Sequence, residues 1–263
     1  PLAVPANAHA SGTLTLEATY SSPGHGWDRV ERWHDANPGY VTADFPPDGR
    51  LDQTGQRLVH FDGDPTPDMG TFLVSYAPGW STNPKETPVL LVPGAYTSAD
   101  TAWAAPDASP VGCGALSCPS TGMMQTLAGA GYKVFGITFP HAVGNNNNHA
   151  EQIHGAVQVI KAATGATEVD IVAWSMGTLA SRLYVSSATP AWATPYAGDV
   201  RKLVLIGGPN KGWDYTFRHG TYPAIASYSE CGGSVIGGTA ALWQNCFGFL
   251  YSHPELTPYV TPS

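Results

Sequence analysis

The chain has 263 residues, 43% of them hydrophobic, with 30 Gly and 23 Pro, which suits one large globular domain with many ordered loops and excludes a disordered polypeptide. Only 12% of the residues are charged and the formal net charge is −8, a balance that makes nucleic acid a poor partner and an anionic membrane surface no better. No apolar run reaches the about 20 residues needed to span a bilayer.

Residues 1–12 read as a frayed N-terminus or the remnant of a leader. Ala6, Asn7, Ala8 and Ala8, His9, Ala10 form two small-x-small patterns of the kind found at secretory cleavage sites, and a plain mature N-terminus is the alternative. Residues 13–76 are rich in Pro, Gly, Asp and aromatics. Their alternating stretches at 57–61 and 71–76 predict antiparallel strands joined by turns. The core is expected over 87–208. It opens with a continuous apolar run at 88–92, followed by Pro93 and Gly94, which predicts a buried parallel strand delivering a loop. An ordered loop over 95–119 precedes a helix at 121–130 and a strand at 132–138. A polar loop at 145–148 leads to an amphipathic helix over 150–163, ended by Gly165. A strand at 169–173, a helix from about residue 178 and a strand at 202–206 complete the alternation. Strand and helix in turn predict an α/β fold, a mostly parallel sheet with helices on both faces. Residues 209–263 lose this periodicity and read as an aromatic cap running from Trp213 to Tyr251, in which each ring either lines a pocket or fills the cap's own core.

Four cysteines fall as Cys113 with Cys118 and Cys231 with Cys246, each pair enclosing a short Gly-containing loop. Two disulfides with that pairing are predicted; four free thiols and the two other connectivities are the alternatives. Disulfides would place the protein outside the cytoplasm. Neither pair has zinc-ligand spacing, and the spacing of His149 and His154 does not bring them to one helix face, so no metal is expected. His141, after the strand at 132–138, is placed to line a pocket mouth.

Ser175 carries the chemistry. It follows the apolar strand that ends at Ala173 and Trp174, and it precedes Met176, Gly177 and an amphipathic helix. A sharp turn there needs small flanking residues, which Ala173 and Gly177 supply, and it would lift the hydroxyl above the sheet edge. A serine hydroxyl needs a base and a donor pair for an oxyanion. The N–H of Met176 and that of Ala95, after the strand at 88–92, are the expected donors.

These segments, 88–96, 170–177 and 200–212, resemble the secreted α/β-hydrolase lipases: small bacterial lipases, the fungal lipase B group, and certain extracellular polyhydroxyalkanoate depolymerases. The likeness covers about residues 87–212, and only the turn at Ser175 and the loop at Pro93 and Gly94 are specific. It implies a secreted serine hydrolase of lipids or aliphatic polyesters that forms an acyl-enzyme on Ser175, with Trp174 and Tyr96 flanking the pocket and no cofactor. An acyltransferase on the same scaffold and a noncatalytic hydrolase-like binding protein are the alternatives.

One departure from the family is plain. Its acid and histidine follow two further strands, whereas the sequence after residue 208 shows no later strand pair and no Asp beyond Asp214. His219 and His253 remain as candidate bases, with Asp214, Glu230 and Glu255 as candidate acids. Either the last strands, acid and histidine lie on a second peptide, or an unusual triad draws on His219 or His253, or the chain binds without turnover.

Overall fold

Uninterrupted apolar strands must be covered on both faces, and that requirement organises the molecule. The computed structural model describes residues 14–36, 55–64, 67–68, 70–95, 97–109, 112–113, 115–140, 146–186 and 196–208. Within them β1 (Leu14–Gly24) and β2 (Trp27–Asp35) form an antiparallel hairpin, closed by a turn in which Gly24, His25 and Gly26 all take positive φ. A short helix, α1 (Gly55–His60), follows, and then β3 (Thr71–Tyr76), β4 (Lys85–Val92), α2 (Met123–Gly129), β5 (Tyr132–Thr138), α3 (Asn146–Thr164), β6 (Val169–Trp174), α4 (Met176–Ser186) and β7 (Val200–Ile206). A one-turn π-helix over Asp100–Ala104 lies in the connection after β4.

The seven strands make one sheet in the order β1-β2-β3-β5-β4-β6-β7. β1, β2, β3 and β5 pair antiparallel in succession, whereas β5, β4, β6 and β7 pair parallel. α3 and α4 cover one face, where Ile153, Val157 and Ile160 meet Leu179, Leu183 and the strand residues Leu90, Val92 and Ile171. The opposite face buries Trp27, Val89, Leu91 and Val134 beneath Trp103 of the π-helix and Met124 of α2. β4 thus sits inside the sheet between β5 and β6, and the C-terminal ends of β4 and β6 emerge side by side, with Val92 paired to Ala173.

Buried polar groups tie these layers together. Asp199, just before β7, accepts hydrogen bonds from Tyr184 Oη (2.6 Å), Lys161 Nζ (3.0 Å) and Gln158 Nε2 (3.1 Å), joining α3, α4 and the sheet. Burial pushes the Asp199 carboxyl up, but those hydrogen bonds and the Lys161 charge outweigh it and hold the carboxyl below its ordinary 3.8. On the antiparallel side the buried Glu31 accepts from Tyr76 Oη and from Trp33 Nε1 (3.0 Å), and it pairs with Arg29 at 3.2 Å.

Two local expectations are corrected. Residues 57–61 were expected in a strand; 57–60 are helical, in α1, and Phe61 begins the turn that ends it. A five-residue alternation does not distinguish the two conformations, and here the helical path buries His60 and Phe61 while leaving Val59 60% exposed. The polar stretch expected as a loop at 145–148 is helical from Asn146, because Asn146, Asn148 and His149 are buried in the first turn of α3 and tertiary packing overrides the low helix propensity of Asn. The disulfide between Cys113 and Cys118 is formed, with a Cα–Cα distance of 5.7 Å. Cys231 and Cys246, the cap at 209–263 and residues 1–13 lie outside the described residues. Among the described residues no helix is long and apolar enough to cross a membrane, and no group of three His, Cys, Asp or Glu side chains is placed to hold a metal.

Candidate active site

Ser175 stands in the single residue between β6 and α4 with φ +52, in the left-handed region that side chains beyond glycine rarely adopt. Its backbone is anchored on both sides. The Ser175 N–H donates to the Ile206 carbonyl at the end of β7 (2.9 Å), and its own carbonyl accepts from the Thr178 N–H (3.0 Å) and the Thr178 hydroxyl (2.7 Å). Such a conformation costs about 1–3 kcal/mol and persists only where its surroundings determine it, as these three bonds do.

The loop after β4 packs directly on this turn. A Cβ added to Gly94 would lie 2.8 Å from Ser175 Cβ and 3.0 Å from Trp174 Cε3, and one added to Gly177 would lie 2.3 Å from the Pro93 carbonyl oxygen. Only residues without a side chain allow the two loops to approach so closely. Ala95, the next residue, is half-buried against the core shared with α3 and α4, and the Thr97 hydroxyl turns the loop by donating to the Gly94 carbonyl (2.9 Å). Met176 is 4% exposed and opens α4, so its N–H is the first of the helix donors that have no intrahelical acceptor, at the positive end of the helix dipole. Trp174 is half-buried and packs toward the sheet face that carries Trp103 and Met124.

The turn thus brings together Ser175, Met176, Trp174, Gly94 and Ala95. Tyr96, His141, His219 and His253 lie outside the described residues, as do Asp214, Glu230 and Glu255. Sequence patterns missed a second constellation, in which His25 Nδ1 and Asp100 Oδ2 lie 2.6 Å apart across 75 residues of chain. Burial pushes the Asp100 carboxyl up, and the contact with His25 opposes that. The cleft beside Asp100 is lined by His60, Ser75, Ser98 and Thr138 and does not include Ser175. The glycines flanking His25 signalled a turn, but nothing local signalled its partner.

Comparison with known proteins adds one deciding observation: the model of the class 2 lipases matches residues 86–231, more than half of the chain. The chain belongs to the class 2 lipase family. That match takes in the loop after β4, the turn at Ser175 and β7, and with the sheet order it gives this member of the family the α/β-hydrolase fold. Among solved structures, similarity extends to a Sulfolobus solfataricus protein assigned to the lipases (15% identity, TM-score 0.44, covering 79% of this chain and 52% of that one). It extends also to the mature form of lipase BlEst2 from Bacillus licheniformis (15% identity, TM-score 0.44, covering 68% and 66%). A Pseudomonas aeruginosa PAO1 protein assigned as a hydrolytic enzyme follows (15% identity, TM-score 0.36, covering 72% and 59%). The chain therefore spans between half and two thirds of the length of these proteins. No curated protein sequence matches it significantly.

Proposed function

We propose that this class 2 lipase hydrolyses carboxylic esters of apolar acyl groups through an acyl-enzyme on Ser175. The observation that carries the reading is the backbone of Ser175, held at φ +52 between β6 and α4 with Gly94 packed against its Cβ. Ser175 Oγ attacks the ester carbonyl carbon as its proton passes to a base. The oxyanion of the tetrahedral intermediate takes hydrogen bonds from the N–H groups of Met176 and Ala95, and the alcohol departs with a proton. Water then attacks the acyl-enzyme and releases the acid. Trp174, and Tyr96 beyond the Ala95 turn, supply apolar walls for the acyl chain. His219 and His253 are the candidate bases.

The low proportion of charged residues and the net charge of −8 support neutral esters, lipids or aliphatic polyesters, over phosphate-rich substrates. The Cys113–Cys118 disulfide supports an extracellular setting. The test is hydrolysis of a p-nitrophenyl ester series by the purified chain and by Ser175→Ala. Turnover by the parent, with loss of at least about a thousandfold in kcat in the variant, is the expected result. Equal turnover by the two proteins refutes Ser175 as the nucleophile, and no turnover by a folded parent favours a binding protein on the same scaffold.

A further inference from the structure

The turn that carries Ser175 is determined from a direction the nucleophile reading does not use. The Ser175 carbonyl takes two hydrogen bonds from one residue, the N–H and the hydroxyl of Thr178. Any residue but proline at position 178 supplies the first, because the backbone makes it; the second needs the hydroxyl of Ser or Thr. Thr178 is fully buried. Its side chain fills the space that a Cβ on Gly208 would occupy: that atom would lie 1.9 Å from Thr178 Oγ1, 2.6 Å from its Cβ and 2.7 Å from its Cγ2. The same stretch of chain, at the end of β7, supplies the Ile206 carbonyl that receives the Ser175 N–H. The end of β7 therefore grips the strained residue twice, once directly at its amide and once through the side chain packed beneath its carbonyl.

We propose that Thr178, braced by Gly208, is a positioning residue that holds Ser175 in its left-handed conformation and so aims the hydroxyl at the ester. Thr178 contacts no substrate in this assignment; it acts through the Ser175 backbone. The assignment rests on the reading of Ser175 as nucleophile. A net hydrogen bond of this kind corresponds to about tenfold in rate when its loss is felt at the reacting atom. The consequence falls on the chemical step, since uniform substrate binding does not depend on the serine's aim.

The experiment measures kcat and KM for a p-nitrophenyl ester, together with the rate of Ser175 labelling by a fluorophosphonate, in the parent, Thr178→Val, Thr178→Ser and Gly208→Ala. Thr178→Val keeps the shape and loses the hydroxyl, and is expected to lower kcat and the labelling rate about tenfold with KM within about twofold. Thr178→Ser restores the donor and returns both to within about threefold of the parent, and Gly208→Ala displaces the side chain and reproduces the defect. Should Thr178→Val fail to fold, Thr178→Ala removes the hydroxyl together with the γ-methyl and reads the same quantities. A folded Thr178→Val or Thr178→Ala that labels and turns over like the parent overturns the proposal while leaving Ser175 as nucleophile. A parent that a fluorophosphonate does not label overturns both together.

Discussion

Ser175 occupies backbone territory that no ordinary side chain prefers, and its neighbours are defined by the room it leaves them. Gly94 is the case that faces Ser175 directly, since a methyl group there would meet both Ser175 Cβ and the Trp174 ring inside contact distance. Gly94→Ala must therefore move either the loop that carries Ala95 or the turn that carries Ser175. A displacement of about 1 Å at a reacting group costs on the order of a hundredfold in rate. On the proposed function, the expected outcome is a fall of about that size in kcat/KM with the far-ultraviolet circular dichroism unchanged, and full activity in a folded Gly94→Ala variant would show that the loop does not take part. This portion of the site was legible in the sequence, because a strand, a serine with a small residue two positions to either side, and a helix are contiguous. Thr178 and Gly208 were not, because their contact belongs to the meeting of α4 with the end of β7 and leaves no mark at either position alone.

At the scale of elements, the connection from β4 to α2 is held by side chains that come from distant strands and turns. Gln125, in α2, uses both ends of its amide: Oε1 accepts from the Gly122 N–H (2.8 Å), while Nε2 donates to the carbonyls of His25 (3.0 Å) and Ala104 (3.0 Å). One half-buried side chain thus joins the start of α2, the end of the π-helix and the turn between β1 and β2. With net values of about 0.5–1.5 kcal/mol per hydrogen bond and partial replacement by water, Gln125→Ala is expected to lower stability by about 1–2 kcal/mol. Urea unfolding checks this, and a midpoint unchanged from the parent would mean that the three bonds do not survive in solution. The parallel strands were legible because each carries a short apolar run, as at 89–92 and 171–173. α1 and the first turn of α3 were misread, since a short alternating run and an Asn-rich run are both decided by what buries them, as Phe61 and Asn146 illustrate. The meeting of His25 with Asp100 had no periodic signature at all.

For the whole molecule, the response to acid follows from which imidazoles the fold buries. Burial pushes His154 below its ordinary 6.5, with the Asp199 and Asp35 charges pulling the other way and Lys161 adding to the depression; burial does the same to His60. A histidine depressed in the folded state binds its proton more readily when unfolded. Stability is therefore fully present above pH 6.5 and declines as the pH falls from there through the folded value. Asp199, also depressed, adds a further loss in stronger acid, below its ordinary 3.8. Denaturant midpoints measured between about pH 7.5 and about 5.5 should fall for the parent and fall less steeply for His154→Gln; parallel slopes would remove His154 from the account.

The order β1-β2-β3-β5-β4-β6-β7 also has a meaning in time. In chain order β2 finds its hairpin partner β1 already made, and β3 finds β2, so these three strands need nothing later to pair. β3 then waits with one edge bare until β5 has emerged, because β4, made between them, belongs farther along the sheet. The serine turn waits longer still. Its amide finds its acceptor only when Ile206 has been synthesised and β7 has docked, so the left-handed turn at Ser175 is completed late in this part of the chain, and a ribosome-bound fragment ending before β7 carries the serine without the bond that anchors its amide.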